Sequence, residues 1–239
     1  FAPDFSQVAK YSDWWVPVHA GQDGAFWMAV NHVILTEYFV KKETPSFNAY
    51  LKQYTDSPFL VVINQGKEGH EPGRLLRANT IAPYQNEENG EWKFLMFDEQ
   101  TGKPKMPKGT MGHRWQEKTG QWNLELKDSV DDSPIAPLLS FAGQSDDVLQ
   151  VKYEDFSNNN ATLKRGIPVK YIETTEGKVA VATTFDLLMG HFGVDRGLGG
   201  DYPANYDDTT QNFTPAWQEK FTGIDKATVI NFAQQFADT

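Results

Sequence analysis

The turn Gly21-Gln22-Asp23-Gly24 combines residue types that could bind a polar ligand. It stands directly before residues 25–40, in which apolar side chains recur at helical intervals. The pattern predicts a largely buried helix whose first N–H groups are unpaired and carry partial positive charge. The Asp23 carboxylate could accept hydrogen bonds from the Watson–Crick edge of guanine or from a ribose hydroxyl. Alternatively, Asp23 caps the helix and Gly21 permits a positive φ.

Other residue types with reactive chemistry are absent or unfavourably spaced. The chain has no cysteine, which excludes disulfides, thiolate nucleophiles and iron–sulfur ligation by its own cysteines. His70, His113 and His191 are far apart without ligand spacing, so we predict no metal site and assign no catalytic residue. The glycine cluster 197–200 is a weak phosphate-loop signal, because no strand directly precedes it and no Gly-Lys-Ser/Thr follows.

Composition limits the classes of partner. The 239 residues are 39% hydrophobic and 23% charged, as in globular proteins, and the net charge is −10. An acidic chain would be repelled by a phosphate backbone, so nucleic acid is not an expected partner. The sequence has neither a run of eighteen apolar residues nor a secretory signal pattern, although the chain could still dock on a membrane protein.

The first 63 residues alternate between helical and strand-like patterns. We expect a short helix at 4–11, a strand at 14–19, the helix that follows Asp23, a helix at 46–54 opened by Thr44 and Pro45, and a buried strand at 59–63. This order is typical of an α/β fold with Rossmann-like parallel βα units. In such folds ligands bind beyond the carboxyl ends of the strands.

Residues 64–165 are more polar and predict an inserted segment rich in strands and loops, with strands at 92–97, 121–126 and 148–153 and a turn at 98–103. The last part of the chain returns to regular elements. There we expect a hairpin of 169–172 and 179–182, a helix at 184–192, a Gly-rich loop at 193–205, and two helices that begin after the caps Thr214 and Asp225, the first stopping at Thr222-Gly223.

Together these motifs resemble the catalytic, molybdenum-binding subunit of membrane-bound respiratory nitrate reductase, in the molybdopterin oxidoreductase superfamily. Residues 3–9, Gly21-Gln22-Asp23 and 29–34 look like the superfamily's strand–helix–strand–GTDAA stretch and the long helix after it, and 213–217 with 222–223 is similar to its TPxW…TG signature. Segments closer to the nitrate reductase branch are 54–58, Arg114-Trp115, 122–125 and 204–208.

The resemblance implies a role for five residues. It places Pro3, Asp4, Gly21, Gln22 and Asp23 on the guanine dinucleotide arm of one molybdopterin cofactor, with Asp23 on the guanine edge. Gln22 stands where the family usually has Thr, and Ala20 replaces the usual Pro or Gln. By domain, 1–63 would be the βα part of the molybdopterin-guanine-dinucleotide-binding domain, 64–165 an insertion, and 166–239 the hairpin and carboxyl-terminal helices of the same domain.

The resemblance also implies the rest of the enzyme. The full-length subunit would carry bis-molybdopterin guanine dinucleotide with molybdenum and a 4Fe–4S cluster whose ligands lie outside this chain. Its partners would be an iron–sulfur beta subunit and a membrane-anchoring gamma subunit at the cytoplasmic face of the membrane. It would reduce nitrate to nitrite in anaerobic respiration. Because the chain starts at Phe1 without Met, we expect an internal fragment that is inactive alone and binds no cofactor by itself.

Two alternatives stay open. The first is a sister molybdopterin oxidoreductase acting on selenate, chlorate, dimethyl sulfide or a hydrocarbon. The second is a free-standing acidic binding module that uses exposed aromatic residues, motivated by seven tryptophans. Against the module, Trp14, Trp15, Trp27 and Trp217 fall in or beside predicted elements and are expected to pack in the core.

Overall fold

The computed structural model describes residues 1–5, 7, 9–109, 124–156 and 161–238. His113, the Arg114-Trp115 pair and most of the 121–126 segment lie outside this part of the chain. Within the described residues, no helix has the length and apolarity that crossing a membrane requires.

Five α-helices and nine β-strands make up the regular structure that is described. Helices α1 to α5 span Asp23–Leu35, Pro45–Tyr54, Thr184–His191, Pro215–Thr222 and Lys226–Asp238. Strands β1 to β9 span Leu60–Gly66, Gly69–Leu75, Met96–Asp98, Lys103–Lys105, Pro107–Lys108, Glu125–Asp128, Asp147–Glu154, Thr162–Thr174 and Gly177–Thr183.

The chain divides into two compact units. Unit 1 comprises Phe1–Thr44, Tyr153–Arg165 and Met189–Thr239, and unit 2 comprises Pro45–Lys152 and Gly166–Leu188. The predicted hairpin therefore lies in unit 2, whereas the carboxyl-terminal helices lie in unit 1. The assignment of a cofactor-binding domain to residues 1–63 and 166–239 stays a prediction.

Unit 2 contains most of a closed barrel in the strand order β1-β2-β7-β8-β9. The strands β2 and β7 are parallel, and β1 is antiparallel to both β2 and β9. Helices with a mixed sheet confirm the predicted α/β class. The core of this unit includes the fully buried side chains Leu60, Leu95, Met106, Phe141 and Val181.

Several predicted elements are confirmed. The β8–β9 hairpin pairs Lys170 with Val181 and turns between Thr174 and Gly177. The predicted turn at 98–103 joins β3 to β4, with Asp98 opposite Lys103. Strands β1 and β7 and helices α2 and α3 match the predicted 59–63, 148–153, 46–54 and 184–192.

The predicted strand at 14–19 and helix at 4–11 are wrong. Residues 14–19 are extended but belong to no strand of the described part, because Pro17 has no N–H and the side chains of Val16 and Val18 pack against helices instead of a neighbouring strand. Residues 4–11 contain only the short 3-10 turn Ala9–Tyr11 among those described.

Two further expectations need correction. The predicted strand at 92–97 is a 3-10 turn, Gly90–Trp92, followed by the short β3. The prediction that tryptophans pack in the core is wrong for Trp14 and Trp27, whose side chains are 50% and 43% exposed. It is confirmed for Trp217, which is only 4% exposed. An aromatic residue on a helix can thus lie at the edge of the core without entering it.

Unit 1 is organised around α1, which packs against α4 and α5. Its buried face contributes Ala29, Val30 and Val33, and α5 contributes Val229 and Ala233; all five are 0% exposed. These small side chains let the helices approach closely. After Leu35 the helix continues as a π-helix, Thr36–Lys41.

His32 is a polar residue on the buried side of α1. It is 4% exposed, and its Nδ1 lies 2.7 Å from the carbonyl oxygen of Phe192. The carbonyl can only accept, so Nδ1 carries the proton. The pKa of His32 is lowered from 6.5 to about 4, mainly by burial. The hydrogen bond with Phe192 opposes this shift, and the charges of Arg165 and Lys41 add to it.

We expect His32 to make unit 1 less stable as the pH falls from 6.5 to about 4. Between these pH values the imidazole of residue 32 is protonated in the unfolded chain and neutral in the folded protein. The free energy of unfolding therefore falls by roughly 3 kcal/mol over the whole interval. The variant His32→Asn, which keeps an N–H donor, should show a shallower loss of unfolding free energy with falling pH. Urea unfolding at several pH values measures it, and equal slopes for the two proteins would contradict the assignment.

The start of α1 is tied to the end of α4. The predicted boundaries of α4 are confirmed: the Thr214 side chain accepts from the Trp217 N–H, and Gly223 ends the helix at φ 73°. The backbone N–H of His19 donates to Thr222 O at 2.9 Å, and its Nδ1 lies 2.8 Å from Phe221 O. A Cβ atom on Gly223 would lie 2.8 Å from Nε2 of His19.

Replacing Gly223 by Ala should therefore destabilise unit 1 more than replacing Gly197 does. Both glycines have φ 73°, where Ala costs about 1–2 kcal/mol, but a Cβ on Gly197 would meet nothing within 4 Å. Gly223→Ala must also displace the hydrogen-bonded ring of His19. Chemical unfolding of the two variants gives the comparison, and equal losses would mean that the His19 contact has no energetic role.

Candidate functional site

The first turn of α1 forms the centre of the candidate site. Gly21 adopts φ 78°, and the Gln22 N–H donates to His19 O at 3.2 Å, which closes the turn before the helix. Gly21, Asp23 and Gly24 are exposed and Gln22 is half-buried. The first backbone N–H groups of a helix have no partner within it, so this turn offers donors to a ligand.

Asp23 does not cap the helix, so the alternative prediction of a capping role for this residue is wrong. The N-cap is Gln22, which makes no side-chain capping bond, and Asp23 is the first residue of α1. Its carboxylate makes no hydrogen bond or ion pair within the described part of the chain. A carboxylate at this end of a helix is favoured by the dipole and stays available as an acceptor.

An apolar cavity of about 280 Å³ adjoins the same turn. Helix α1 and the segment before it contribute one wall and four aromatic residues the other: the lining is Gln22, Gly24, Ala25, Met28, Phe156, Phe213, Trp217 and Phe221. Consecutive aromatic rings are in contact, with centroids 5.6 Å apart for Phe156 and Phe213, 5.4 Å for Phe213 and Trp217, and 4.7 Å for Trp217 and Phe221. Such a wall can accept a planar ring by stacking.

The sequence analysis did not identify these aromatic residues as part of a site. A signal was present, because Phe213, Trp217 and Phe221 recur every four residues and so share one side of α4 and its cap. What the spacing could not indicate is that α4 packs against the first turns of α1.

Pro3 and Asp4 are held separately from this turn. Both are exposed, and the indole N–H of Trp15 donates to Ala2 O at 3.1 Å and to Asp4 O at 3.2 Å. Within the described residues neither makes a hydrogen bond or ion pair with Gly21–Asp23. The structure thus brings together Gly21, Gln22 and Asp23, and does not join Pro3 and Asp4 to them by direct contact.

A buried arginine holds the Gly-rich loop in place. Arg165 is 1% exposed, and it donates to the carbonyl oxygens of Gly190, His191 and Asp201 at 2.6, 3.0 and 2.8 Å. Burial lowers its pKa. The N–H of Gly197 donates to an Asp195 carboxylate oxygen at 2.8 Å, so the protein itself provides the acceptor at this turn.

The described residues contain no group of three His, Asp or Glu side chains arranged to hold a metal ion.

His191 lies among aromatic rings that include those of Phe192 and Phe213, whose centroids are 5.1 and 5.2 Å from its own. Burial and the nearby charge of Arg165 lower the pKa of His191. What the α1 turn offers is exposed backbone N–H groups and the exposed Asp23 carboxylate as an acceptor.

Comparison with known proteins was made along the whole chain, and no protein-family model matches it. The chain is 40% identical over 237 residues to the nitrate reductase alpha chain of Bacillus subtilis, covering 99% of this chain and 19% of the relative. It is 33% identical over 248 residues to the respiratory nitrate reductase 1 alpha chain of Escherichia coli, with 99% and 20% covered.

A more distant relative is the perchlorate reductase subunit alpha of Dechloromonas aromatica, 24% identical over 237 residues, with 99% of this chain and 20% of the relative covered. The chain spans about one fifth of the length of these relatives. The likeness to nitrate reductase alpha chains extends over nearly all of its residues at 33–40% identity. Over nearly all of its residues the chain is thus similar to nitrate reductase alpha chains, and it spans about one fifth of their length.

Proposed function

We propose that this chain is part of a molybdenum-dependent nitrate reductase that reduces nitrate to nitrite in anaerobic respiration. The observation that carries the proposal is the 33–40% identity to nitrate reductase alpha chains over nearly the whole chain. Within the enzyme, these residues provide scaffold and part of one cofactor site. The isolated chain is inactive, because it spans about a fifth of its relatives.

The cofactor contact that we propose is the α1 turn. Gly21 and Gln22 present backbone donors, and Asp23 accepts from the guanine edge of molybdopterin guanine dinucleotide. Three features support this fit: the exposed carboxylate, the positive φ of Gly21 and the aromatic wall beside Gln22. Pro3 and Asp4 belong to the same proposal as a second contact on the dinucleotide arm.

The size of the adjoining cavity limits what this chain would hold. A volume of about 280 Å³ suits a single base-sized group and is too small for a whole dinucleotide cofactor. The remainder of the bis-molybdopterin guanine dinucleotide, the molybdenum ligand and the 4Fe–4S cluster would be held by polypeptide outside these residues. When bound, the cofactor supplies the two-electron chemistry, and the protein positions it.

The partners follow from the same proposal. The full-length subunit would assemble with an iron–sulfur beta subunit and a membrane-anchoring gamma subunit at the cytoplasmic face of the membrane. In this proposal the partner subunits attach the enzyme to the membrane.

A sister oxidoreductase is the second candidate, because one relative is a perchlorate reductase subunit. The complete natural enzyme, supplied with a reduced viologen dye, should turn over nitrate faster than chlorate or perchlorate. Ion chromatography measures the product of each two-electron step, which is nitrite from nitrate, chlorite from chlorate and chlorate from perchlorate. Preferential reduction of a chlorine oxyanion would replace nitrate as the substrate and leave the cofactor proposal intact.

The variant Asp23→Ala in the complete enzyme should weaken guanine binding about tenfold or more, because hydrogen bonds to a charged acceptor contribute roughly 1.5–3 kcal/mol. We expect less bound molybdenum and less guanine nucleotide per polypeptide, measured by mass spectrometry of the metal and chromatography of the released nucleotide.

The matched control is Glu88→Ala, which removes an exposed carboxylate of unit 2 and should leave both contents at the wild-type level. Unchanged molybdenum and nucleotide contents in Asp23→Ala would exclude the proposed contact. A thermal melt of each variant separates loss of cofactor from loss of the folded protein.

A further inference from the structure

Unit 2 has a second concave site, which the nitrate reductase proposal does not use. Its volume is about 390 Å³, within the range of small-molecule pockets. The apolar part consists of Val62 on β1, Leu76 just after β2, and Val179 on β9. Two arginines, Arg74 and Arg77, line the same pocket. The site therefore combines an apolar surface with two fixed-charge donors.

Arg77 is held in place before any ligand arrives. Its Nη1 donates to Glu91 O at 2.7 Å, and its guanidinium carbon lies 4.8 Å from the Phe94 ring centroid and 5.5 Å from that of Trp92. Its remaining N–H groups make no hydrogen bond within the described residues. A guanidinium fixed by stacking loses little conformational entropy when it binds a planar oxyanion in a bidentate manner.

Arg74 is already occupied by a carboxylate of the protein. Its Nη2 donates to both carboxylate oxygens of Glu176, at 3.2 and 3.0 Å. The two side chains are 57% and 64% exposed, and exposed ion pairs of this kind are weak. Glu176 lies in the β8–β9 turn between Thr174 and Gly177, at the pocket rim. The contact shows which chemical group this rim accepts, and its exposure lets a ligand replace it.

We propose that this pocket binds a small-molecule carboxylate with an apolar body, such as an aromatic or branched aliphatic acid. The carboxylate is held by the fixed fork of Arg77 and by Arg74, from which Glu176 is displaced. The apolar body covers Val62, Leu76 and Val179, which excludes water from beneath the ion pairs. The pocket lies wholly within unit 2, so the proposal does not depend on the cofactor role of α1.

The test is fluorine NMR of 4-fluorobenzoate titrated into the complete natural polypeptide. The wild-type protein should bind 4-fluorobenzoate and should not bind the neutral analogue 4-fluorobenzyl alcohol. Removing the internal competitor in Glu176→Gln should tighten binding about two- to fivefold, as expected for loss of an exposed ion pair. Arg77→Gln should weaken it about tenfold or more, and Arg77→Lys should fall between Arg77→Gln and the wild type, because it keeps the charge and loses the fork.

The control Lys10→Gln removes an exposed cation of unit 1 and should leave the affinity unchanged. Absence of binding to the wild-type protein would overturn the proposal, and so would an affinity unaffected by Arg77→Gln. Equal weakening in Lys10→Gln and Arg77→Gln, which each remove one positive charge, would reflect only net charge, and it too would overturn the site. Circular dichroism of each variant confirms that the fold is kept, and none of these outcomes depends on nitrate reduction or cofactor content.

Discussion

The packing of α1 against α4 and α5 is the interaction on which the candidate site depends. Ala29 and Val33 on α1 and Ala233 on α5 have no exposed surface, so the helix axes cannot separate without opening a cavity. This packing fixes the position of the first turn of α1, whose unpaired N–H groups lie outside the core. The contact of His19 with Gly223 and Phe221 then determines the path of the chain into that turn.

The two proposed ligand sites differ in the sign of their charge and in whether that charge already has a partner in the protein. At the α1 turn the protein provides an acceptor, Asp23, that makes no hydrogen bond within the described residues, so a donor ligand has no internal rival to displace. On the barrel it provides donors, and one of them, Arg74, is covered by Glu176. Without a counter-ion the two guanidinium groups would repel each other. The exposed carboxylate of Glu176 reduces this repulsion and, because exposed ion pairs are weak, can still be displaced by a ligand. In both places apolar side chains adjoin the charged group.

Two buried polar side chains of unit 1, Arg165 and His32, pair with backbone carbonyl groups in and before the Gly-rich loop. Arg165 is nearly inaccessible, and it donates to the carbonyl oxygen of Gly190 just before the Gly-rich loop and to that of Asp201 within it. His32 likewise binds a carbonyl of Phe192. Since a buried donor is costly when unpaired, these contacts determine the loop path, which glycines 197 and 199 then follow with positive φ.

Local patterns in the sequence were sufficient for elements whose signals are local. Caps and turns depend on neighbouring residues, so the sequence predicts them directly. Examples are the cap Thr214, the end of α4 at Gly223 and the hairpin turn at Thr174–Gly177. The sequence also placed Gly21, Gln22 and Asp23 before the buried helix, and the motif order indicated the family that the comparisons support. Three things depended on contacts distant in sequence: the extended segment 14–19 packs on helices, Phe213 and Trp217 join the turn of α1, and Arg77 meets Phe94 beside the barrel. Periodicity specifies which face of an element is apolar, but its partner is selected by the joint packing of the whole chain, which no local spacing encodes.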